Sequence, residues 1–286
     1  MHKINEIRPL THDYLKITEC IDDLSDKLYY IGKLPETRRP TVAIVGSRKP
    51  TAYGREVTQH IAGELARRGV VIASGMALGV DAIAHQAALD TGGTTIAVLA
   101  NGLHRYYPAT NTQLGRRIVA SGGAVISEYE PGVEPRDFQF LERNRIVSGL
   151  SDAVIITEAA ARSGTLNTAA HALTQGKDLY VVPGNITSPM SAGCNLLLAQ
   201  GASPLVDIDD LLVKLLPDYQ VPAHTVAKGS TPLEQSILDL LASGVRDGDA
   251  ILAQLDASAT EFNTALTMLE ISGSIRSLGA NQWTLA

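Results

Sequence analysis

The chain has 286 residues, 45% of them apolar, and its 24 basic and 30 acidic side chains give a formal net charge of −6. This composition suffices for buried cores in about two domains, and it excludes a disordered chain, which requires low hydrophobicity and a larger charge imbalance. Two cysteines, Cys20 and Cys194, are too few for a disulfide framework or a multi-cysteine zinc site. The N-terminus lacks the apolar stretch of a secretory signal, and no apolar run approaches the ~20 residues of a membrane span. We therefore expect a cytoplasmic protein without membrane contact.

Short apolar runs alternate with helical segments from residue 41 onward. The runs that predict strands are Thr41–Val45, Val70–Ala73, Thr94–Leu99, Ala124–Ile126, Asp152–Ile156 and Leu179–Val182. They lack polar–apolar alternation, which indicates strands buried on both faces of a parallel sheet. The predicted helices span 55–68, 80–91, 111–121, 140–149, 165–175 and 193–200. This order predicts an α/β fold, with a doubly wound, mostly parallel sheet over residues 41–216.

The pattern changes on both sides of this region. Residues 1–40 are mixed in charge and weakly periodic, and we interpret them as an N-terminal lead-in segment. Residues 217–231 contain two prolines and a glycine, which favours a linker. Three amphipathic stretches and two strand candidates follow, at 232–242, 247–255, 259–272, Ser274–Ser277 and Gln282–Leu285. Three helices and a hairpin predict a small winged-helix domain at 232–286, and a small helical packing domain is the alternative.

The distribution of charge limits where a polyanion could bind. Residues 211–286 hold four basic and eight acidic side chains, so this part of the chain is a poor candidate for gripping phosphates. No other segment is strongly basic. Arginines that bind phosphate must therefore be concentrated on one face of the α/β domain.

The carboxyl ends of the predicted parallel strands are where ligands bind in such a sheet. Small residues and an arginine follow the first two strands, namely Gly46, Ser47, Arg48, Ser74, Gly75 and Gly79. Arg48 could hold a phosphate through two hydrogen bonds, and the alternative is a tight turn with a solvated arginine. Gly75 and Gly79 make a nest of backbone amides plausible, which would suit a second phosphate.

Aromatic residues and arginines are interleaved further along the chain. Tyr107 and Phe140 could stack on bases, although packing in the core is the favoured interpretation of the tyrosine. Arg143, Asn144 and Arg145 stand together at a predicted helix start. Neighbouring arginines repel one another unless an anion lies between them, so this cluster favours a phosphate site.

Two later strand ends carry similar residues. Arg162, Ser163, Gly164 and Thr165 open one predicted helix, and Asn195 stands at the start of another. Small hydroxyl residues and glycine at a helix N-terminus favour an anion, because the free amides and the helix dipole both attract it. The edge of the predicted sheet is therefore suited to an anionic ligand.

Signatures of catalysis and metal binding are missing from the sequence. His, Cys and Asp residues do not occur at metal-ligand spacings, and no serine lies in a Gly-x-Ser-x-Gly motif. Asp81 and His85 lie four residues apart on one predicted helical face. We favour a structural hydrogen-bonding role for them over a catalytic pair. We expect no enzyme activity, no metal and no cofactor.

Nine motifs in order identify a resemblance to a known family. They are AIVGSR (43–48), TAYG (51–54), SGMALGVDAIAH (74–85), YYPATN (106–111), SEY (127–129), RNRIVSGLS (143–151), EAAARSGT (158–165), VVPGNI (181–186) and GCNLLLAQGA (193–202). Together they resemble the DNA-processing protein A (DprA/Smf) family of bacteria. The resemblance covers about residues 28–210, and the C-terminal piece is similar to the winged-helix domain of that family.

The resemblance implies a function as well as a fold. It implies an extended Rossmann-like domain that binds single-stranded DNA without sequence preference, usually as a homodimer. Members of the family protect incoming strands and load the RecA recombinase onto them during natural transformation. Some members carry an extra N-terminal helical domain, which we do not expect in residues 1–40.

The resemblance also assigns roles to residues. Arg48 would hold a phosphate, the Gly75–Gly79 loop would offer amides, and Phe140 would stack on a base. The same pocket would be lined by Arg143, Asn144, Arg145, Ser163, Gly164, Thr165 and Asn195. The remaining predicted contacts lie in or beside the matched motifs, and they are Gly46, Ser47, Ser74, Tyr107, Asn111, Arg162 and Lys177.

The chain departs from the family pattern at a few positions. Ala109 and Thr110 stand where members often carry a basic residue, so one phosphate contact is expected to be weaker or absent. Asn167 replaces a usual apolar residue, and Lys177 replaces a common arginine. The acidic charge of the winged helix argues against binding through a recognition helix and leaves a partner- or dimer-facing role as a hypothesis.

Two other functions are possible on the same scaffold. Nucleotide phosphoribohydrolases of a related family carry a Pro-Gly-Gly-x-Gly-Thr motif followed by glutamates. Here Asn167 and Thr168 stand where those glutamates would be, so the carboxylate that cleavage of an N-glycosidic bond requires is missing. A sensor of small nucleotides is the third interpretation.

Overall fold

A nine-stranded sheet organises the first of the two units into which the chain divides, Met1–Tyr219 and Gln220–Ala286. The computed structural model describes residues 3–221, 229–279 and 281–285. The strands are β1 (Asn5–Ile7), β2 (Leu28–Gly32), β3 (Thr41–Val45), β4 (Val71–Ser74), β5 (Thr95–Val98), β6 (Ala124–Ser127), β7 (Ala153–Ile156), β8 (Asp178–Val181) and β9 (Ser203–Pro204). Their spatial order is β1-β2-β6-β5-β4-β3-β7-β8-β9. β2 pairs antiparallel with β1 and β6, and all other neighbours are parallel.

Helices cover both faces of this sheet. They are α1 (Ala52–Arg67), α2 (Val80–Asp90), α3 (Thr112–Ala120), α4 (Asp137–Gly149), α5 (Thr165–Thr174), α6 (Ala192–Ala199) and α7 (Ile208–Leu215). Val42 and Ile44 of β3 pack in one core with α1, α2 and α7, whereas Ala43 and Val45 pack in the other core with α4, α5 and α6. Successive residues of one strand are buried on opposite faces, which explains why the strands show no polar–apolar alternation.

The predicted fold is confirmed. β3 has the predicted bounds, the other five predicted strands each differ by one residue at one or both ends, and the predicted helices between them are all present. Strands of this kind can be predicted from the sequence because each is a continuous apolar run between turn residues. The sequence did not reveal β1, β2, the two-residue β9 or α7.

The N-terminal segment differs from its prediction. Residues 1–40 do not precede the domain as a lead-in, because they supply β1 and β2 to the sheet and belong to the first unit. Tyr14 and Leu15 are fully buried, and the Tyr14 hydroxyl lies 2.9 Å from the Thr41 hydroxyl at the start of β3. β2 shows no alternation of buried and exposed residues, since Leu28 and Ile31 are buried and the two tyrosines between them are half-buried. That short pattern is too weak to identify a strand.

The described residues of the second unit form three helices and a two-stranded hairpin. They are α8 (Pro232–Ala242), α9 (Gly248–Leu252), α10 (Ala259–Ile271), β10 (Ile275–Gly279) and β11 (Gln282–Leu285). α8 and α10 each begin with a capping box, at Thr231–Glu234 and Ser258–Glu261, which satisfies amides at the helix start. Residues from all three helices and β10 form one buried core. This arrangement is a winged helix.

The boundary between the units lies near the predicted linker. Tyr219 belongs to the first unit and its hydroxyl donates to Asp209 at 2.6 Å. Within the predicted linker 217–231, residues 222–228 lie outside the described residues, so the linker remains a prediction. In the part of the chain that the structure describes, no helix has both the length and the apolar character needed to cross a bilayer.

The burial of the N-terminal segment makes its contribution to stability measurable. Leu15→Ala should lower the free energy of unfolding by about 2–5 kcal/mol, because a fully buried leucine leaves a cavity when it is truncated. Leu10→Ala is the matched control, since Leu10 is 52% exposed and its loss should cost less than about 0.5 kcal/mol. Urea unfolding followed by circular dichroism measures both. Equal stability of the two variants would show that the segment is not part of the core.

Candidate nucleic-acid interface

The loop between β3 and α1 is held in place by a buried carboxylate. Glu158, which follows β7, is 2% exposed. Its two oxygens accept hydrogen bonds from the Thr51 amide at 2.8 Å and from the Thr51 hydroxyl at 2.6 Å. The Ser47 amide donates to the Glu158 carbonyl at 2.7 Å. Both ends of the loop that carries Arg48 are therefore attached to the end of the neighbouring strand.

The loop between β4 and α2 packs directly against the first loop. Gly79 has a φ of +79°, and a Cβ at this position would overlap the carbonyl oxygen of Ser47. The Val80 amide donates to the same Ser47 carbonyl at 3.0 Å. Only glycine permits this close approach in the left-handed region. The contact leaves Arg48 exposed at the carboxyl edge of the sheet.

Two loops and the first turn of α4 meet in a stack of side chains at this edge. The Arg48 guanidinium lies 5.7 Å from the centroid of the Phe140 ring, and the Tyr107 ring lies 5.6 Å from the same ring at an interplanar angle of 49°. Tyr107 is 39% exposed and Phe140 is half-buried. In such an arrangement the cation can bind a phosphate while the accessible rings stack on an unpaired base. The residues come from three segments that are far apart in the sequence.

Arg143 has a different place from the one predicted. It is 4% exposed, and its guanidinium donates to the carbonyl oxygens of Gly75, at 2.6 Å, and of Val98. A Cβ on Gly75 would overlap the guanidinium. Burial lowers the pKa of Arg143 to about 10, so it stays protonated at neutral pH. We therefore correct its role from a phosphate ligand to a buried brace that ties α4 to the ends of β4 and β5.

The predicted nest of amides is partly occupied by the protein itself. The carboxylate of Asp81, which is buried, accepts from the amides of Gly75 at 3.1 Å and Ala77 at 3.4 Å. Burial raises the pKa of Asp81, and the charge of Arg143 opposes that rise. The loop between β4 and α2 is thus fixed by hydrogen bonds from two of its amides to Asp81 and from Arg143 to one of its carbonyl oxygens. Two of its amides are unavailable to a phosphate.

The remainder of the Arg-Asn-Arg cluster is also bonded internally. Arg145 forms an ion pair with Glu128 at 2.6 Å, and both side chains are mostly buried. The Asn144 side-chain amide donates to the side-chain oxygen of Asn167 at 3.2 Å. The expectation that the neighbouring arginines need an external anion is therefore wrong, because carbonyl groups and a carboxylate of the protein compensate their charge.

Several other predicted site residues connect loops to one another. The Ser74 hydroxyl donates to Ile44 O at 2.7 Å, and the Thr165 hydroxyl donates to Gly46 O at 3.0 Å. The Asn111 side chain donates to Met76 O at 2.8 Å. The Asn195 side chain both donates to and accepts from the backbone of Gly184. Ser47 accepts from the Lys49 amide at 3.0 Å. These polar groups stabilise the shape of the edge.

A few polar residues of the edge remain accessible. Arg162 and Gly164 are exposed and Ser163 is half-buried. Within the described part of the chain, no residue forms an ion pair with Arg48, Lys49 or Arg162. Lys49 was not among the predicted contacts, although its position directly after Arg48 in a loop at a strand end could have identified it. These three cations give the edge a local positive charge on an acidic chain.

Lys177 lies away from the other predicted residues. It directly precedes β8, at the amino end of a parallel strand, whereas the loops that carry Arg48 and Gly75 follow the carboxyl ends of β3 and β4. The two ends of a parallel strand lie on opposite edges of the sheet. The structure therefore does not bring Lys177 into the candidate interface.

Asp81 and His85 are not bonded to each other. His85 is fully buried, and its Nδ1 lies 2.6 Å from the Thr95 hydroxyl, which donates to Ile72 O. His85 is therefore the donor through Nδ1. Burial lowers the pKa of His85 to about 3, so its imidazole is neutral in the folded chain. In the described residues, no group of three or more His, Cys, Asp or Glu side chains could hold a metal ion.

The brace role of Arg143 has a measurable consequence. Arg143→Met should lower the free energy of unfolding by about 3–5 kcal/mol, because the buried Asp81 carboxylate loses its countercharge. The exposed Arg162→Met variant should change stability by less than about 0.5 kcal/mol. Urea unfolding measures both variants. If Arg143→Met is as stable as the wild type, the guanidinium is not a brace.

Burial of His85 predicts a loss of stability in acid. Below pH 6.5, the ordinary pKa of histidine, the unfolded chain takes up a proton that folded His85 does not accept until about pH 3. The free energy of unfolding should therefore fall with decreasing pH across this window, with a contribution from His85 of about 1.4 kcal/mol per pH unit.

The variant His85→Asn tests this slope. An asparagine can still donate to Thr95 but does not titrate, so the slope of stability against pH between about pH 6 and 4.5 should become shallower. His60→Asn is the control for the substitution, because it removes an exposed histidine instead of a buried one. Identical slopes in wild type and His85→Asn would contradict the assignment of a neutral buried imidazole.

Both units match known families. Residues 6–216 match the family of DNA recombination-mediator protein A, and residues 221–281 match the DprA winged helix domain. The chain is 45% identical over 181 residues to a putative DNA processing protein DprA of Mycobacterium tuberculosis. The aligned region covers 63% of this chain and 46% of the relative. The chain is also 36% identical over 263 residues to Protein Smf of Escherichia coli, and this aligned region covers 88% of this chain and 69% of the relative. The chain thus spans about half the length of the mycobacterial relative.

A solved structure extends the match to three dimensions. DNA processing protein A from Helicobacter pylori, whose structure was described for its single-stranded DNA binding mode, is 36% identical with a TM-score of 0.67. The match covers 77% of this chain and 98% of that one. The family match over residues 6–216, the sequence identities and the shared fold agree, and the chain belongs to the DprA family of DNA recombination-mediator proteins.

Proposed function

We propose that this chain binds single-stranded DNA without sequence preference along the carboxyl edge of its sheet. The observation that carries the proposal is the stack in which Arg48 lies over Phe140 and Phe140 contacts Tyr107. Arg48 would hold a backbone phosphate, and an unpaired base would stack on the accessible rings. Lys49 and Arg162 would add phosphate contacts on either side.

The stack also accounts for the kind of nucleic acid proposed. A base can stack on a protein ring only if it is not paired and stacked within a duplex, so the site favours a single strand. Every base has an aromatic face, so stacking discriminates little between sequences. The structure of the Helicobacter pylori relative, described for its single-stranded DNA binding mode, supports the same ligand for this chain.

The wider role rests on membership of the family. We propose that the chain delivers single-stranded DNA to the RecA recombinase in natural transformation and recombination, that it acts as a homodimer, and that it works in the cytoplasm. The support for this part is the resemblance of the nine motifs and the family match over residues 6–216.

The winged-helix unit is proposed to contact protein rather than DNA. Its described residues include two arginines, Arg246 and Arg276, and seven acidic side chains. α10, which would read the major groove in a DNA-binding winged helix, carries Glu261 and Glu270 and no lysine or arginine. Phosphate contacts from this helix would be repulsive.

We propose binding without catalysis. Asn167 and Thr168 stand where the related phosphoribohydrolases carry glutamates, and Asn167 accepts a hydrogen bond from Asn144. The acids Glu158 and Asp81 at the edge accept hydrogen bonds from Thr51 and from loop amides. These contacts support structural roles for both acids.

Substitution of Arg48 tests the proposed function. Arg48→Glu should weaken binding to a labelled oligo-dT at least about tenfold, because one phosphate contact and the cation–π contact are lost and a repulsive charge is introduced. Arg48→Gln should lower the slope of log K against log salt by about 0.7. Fluorescence anisotropy measures both, and the same strand annealed to its complement should bind more weakly.

Lys16→Glu is the matched charge control. Lys16 is exposed and lies two residues from Tyr14, which contacts Thr41 at the amino end of β3, so it belongs to the opposite edge of the sheet. This variant should bind like the wild type. Equal affinity for duplex and single strand, or normal binding by Arg48→Glu, would refute the proposed function.

A further inference from the structure

A cavity lies beside the segment that carries Tyr107 and outside the stack described above. Its volume is about 690 Å³, and its lining includes Ile4, Ile31, Leu103, Tyr106, Ala109 and Arg116. The apolar side chains come from the N-terminal segment, from β2 and from the loop after β5. The cavity is therefore built by the part of the chain that adds two antiparallel strands to the sheet.

Tyr106, which lines the cavity, carries a polar group without a partner. Its hydroxyl oxygen is buried and has no hydrogen-bond partner among the described residues. The ring is fixed from behind, because it lies against Gly115 so closely that a Cβ there would approach it to 2.7 Å. A buried hydroxyl without a partner costs free energy that a ligand with an acceptor atom would recover.

Arg116 gives the cavity an uncompensated cation. Two arginines line the cavity, and Arg105 forms an ion pair with Glu134. For Arg116, which is exposed, the described part of the chain supplies no ion pair. Its neighbour Arg117 is bonded to Gln86 and Asp90 instead. The cavity thus combines an apolar body, a buried donor and a cation at its rim.

The cavity and the stack are adjacent along one short segment. Tyr106 lines the cavity, and the next residue, Tyr107, contacts Phe140 in the stack. Adjacent residues are about 3.8 Å apart at Cα, so the cavity and the stack share one short stretch of backbone.

We infer that the cavity is a second nucleobase site, which takes one unpaired base of the same strand and places its sugar-phosphate against Arg116. This inference rests on the proposed function. An aromatic base matches the apolar lining, its carbonyl or ring-nitrogen acceptors match the Tyr106 hydroxyl, and the phosphate matches the charge of Arg116.

Paired substitutions on α3 test the inference in the full chain. Arg116→Gln should weaken binding to oligo-dT about three- to tenfold and lower the salt slope by about 0.7, because one phosphate contact is lost. Arg117→Gln removes the same charge one residue away and should leave both quantities unchanged. Tyr106→Phe keeps the ring and should weaken binding about two- to tenfold.

Photocross-linking locates the base directly. An oligo-dT that carries 5-iodouracil should cross-link to Tyr106, and peptide mass spectrometry identifies the residue. Cross-links confined to Tyr107 and Phe140 would overturn the inference, and so would equal affinity of Arg116→Gln and Arg117→Gln. Either result is also the one expected if the cavity takes an apolar side chain of a protein instead of a base. Normal binding by Arg48→Glu would instead refute the proposed function itself, so the two failures are distinguishable.

Discussion

The contact between the first two loops at the carboxyl edge of the sheet determines the geometry of the whole candidate interface. Gly79 adopts a left-handed conformation against the Ser47 carbonyl, and Val80 donates to that carbonyl. On the other side, Glu158 holds Ser47 and Thr51. Arg48 is therefore presented from a backbone that is fixed at both ends. A rigid support reduces the entropy lost on binding, because only the side chain has to be ordered.

Buried and exposed polar residues have separate roles at this edge. Arg143, Asp81 and Glu158 are buried and satisfy each other or the backbone, as charges out of water must. Arg48 and Lys49 remain exposed, with Phe140 beneath the guanidinium of Arg48. The buried network gives the loops their shape, and the exposed residues provide the chemistry offered to a ligand.

The net charge of −6 constrains the proposed binding of a polyanion. Long-range attraction cannot dominate when the whole molecule carries the same sign of charge as its ligand. The affinity then depends on short-range contacts, in which a few cations and aromatic rings attract the ligand more strongly than the net negative charge of the chain repels it. The winged-helix unit is itself acidic, with two arginines and seven acidic side chains among its described residues.

The sequence by itself determined the α/β class and the positions of the central strands, and it predicted a site at their carboxyl ends. Continuous apolar runs and the residues that follow them are local features, and a parallel sheet has only one edge where those ends meet. The tertiary structure decided which arginine is available. Arg48 follows small residues at a strand end, and Arg143 stands at a predicted helix start, so both were predicted to hold phosphate. Arg48 is exposed. Arg143 is buried and donates to the carbonyl oxygens of Gly75 and Val98. The tertiary structure also decided that Lys177 lies on the far edge and that residues 1–40 complete the sheet. Such outcomes depend on contacts between segments distant in the chain, which no local pattern records.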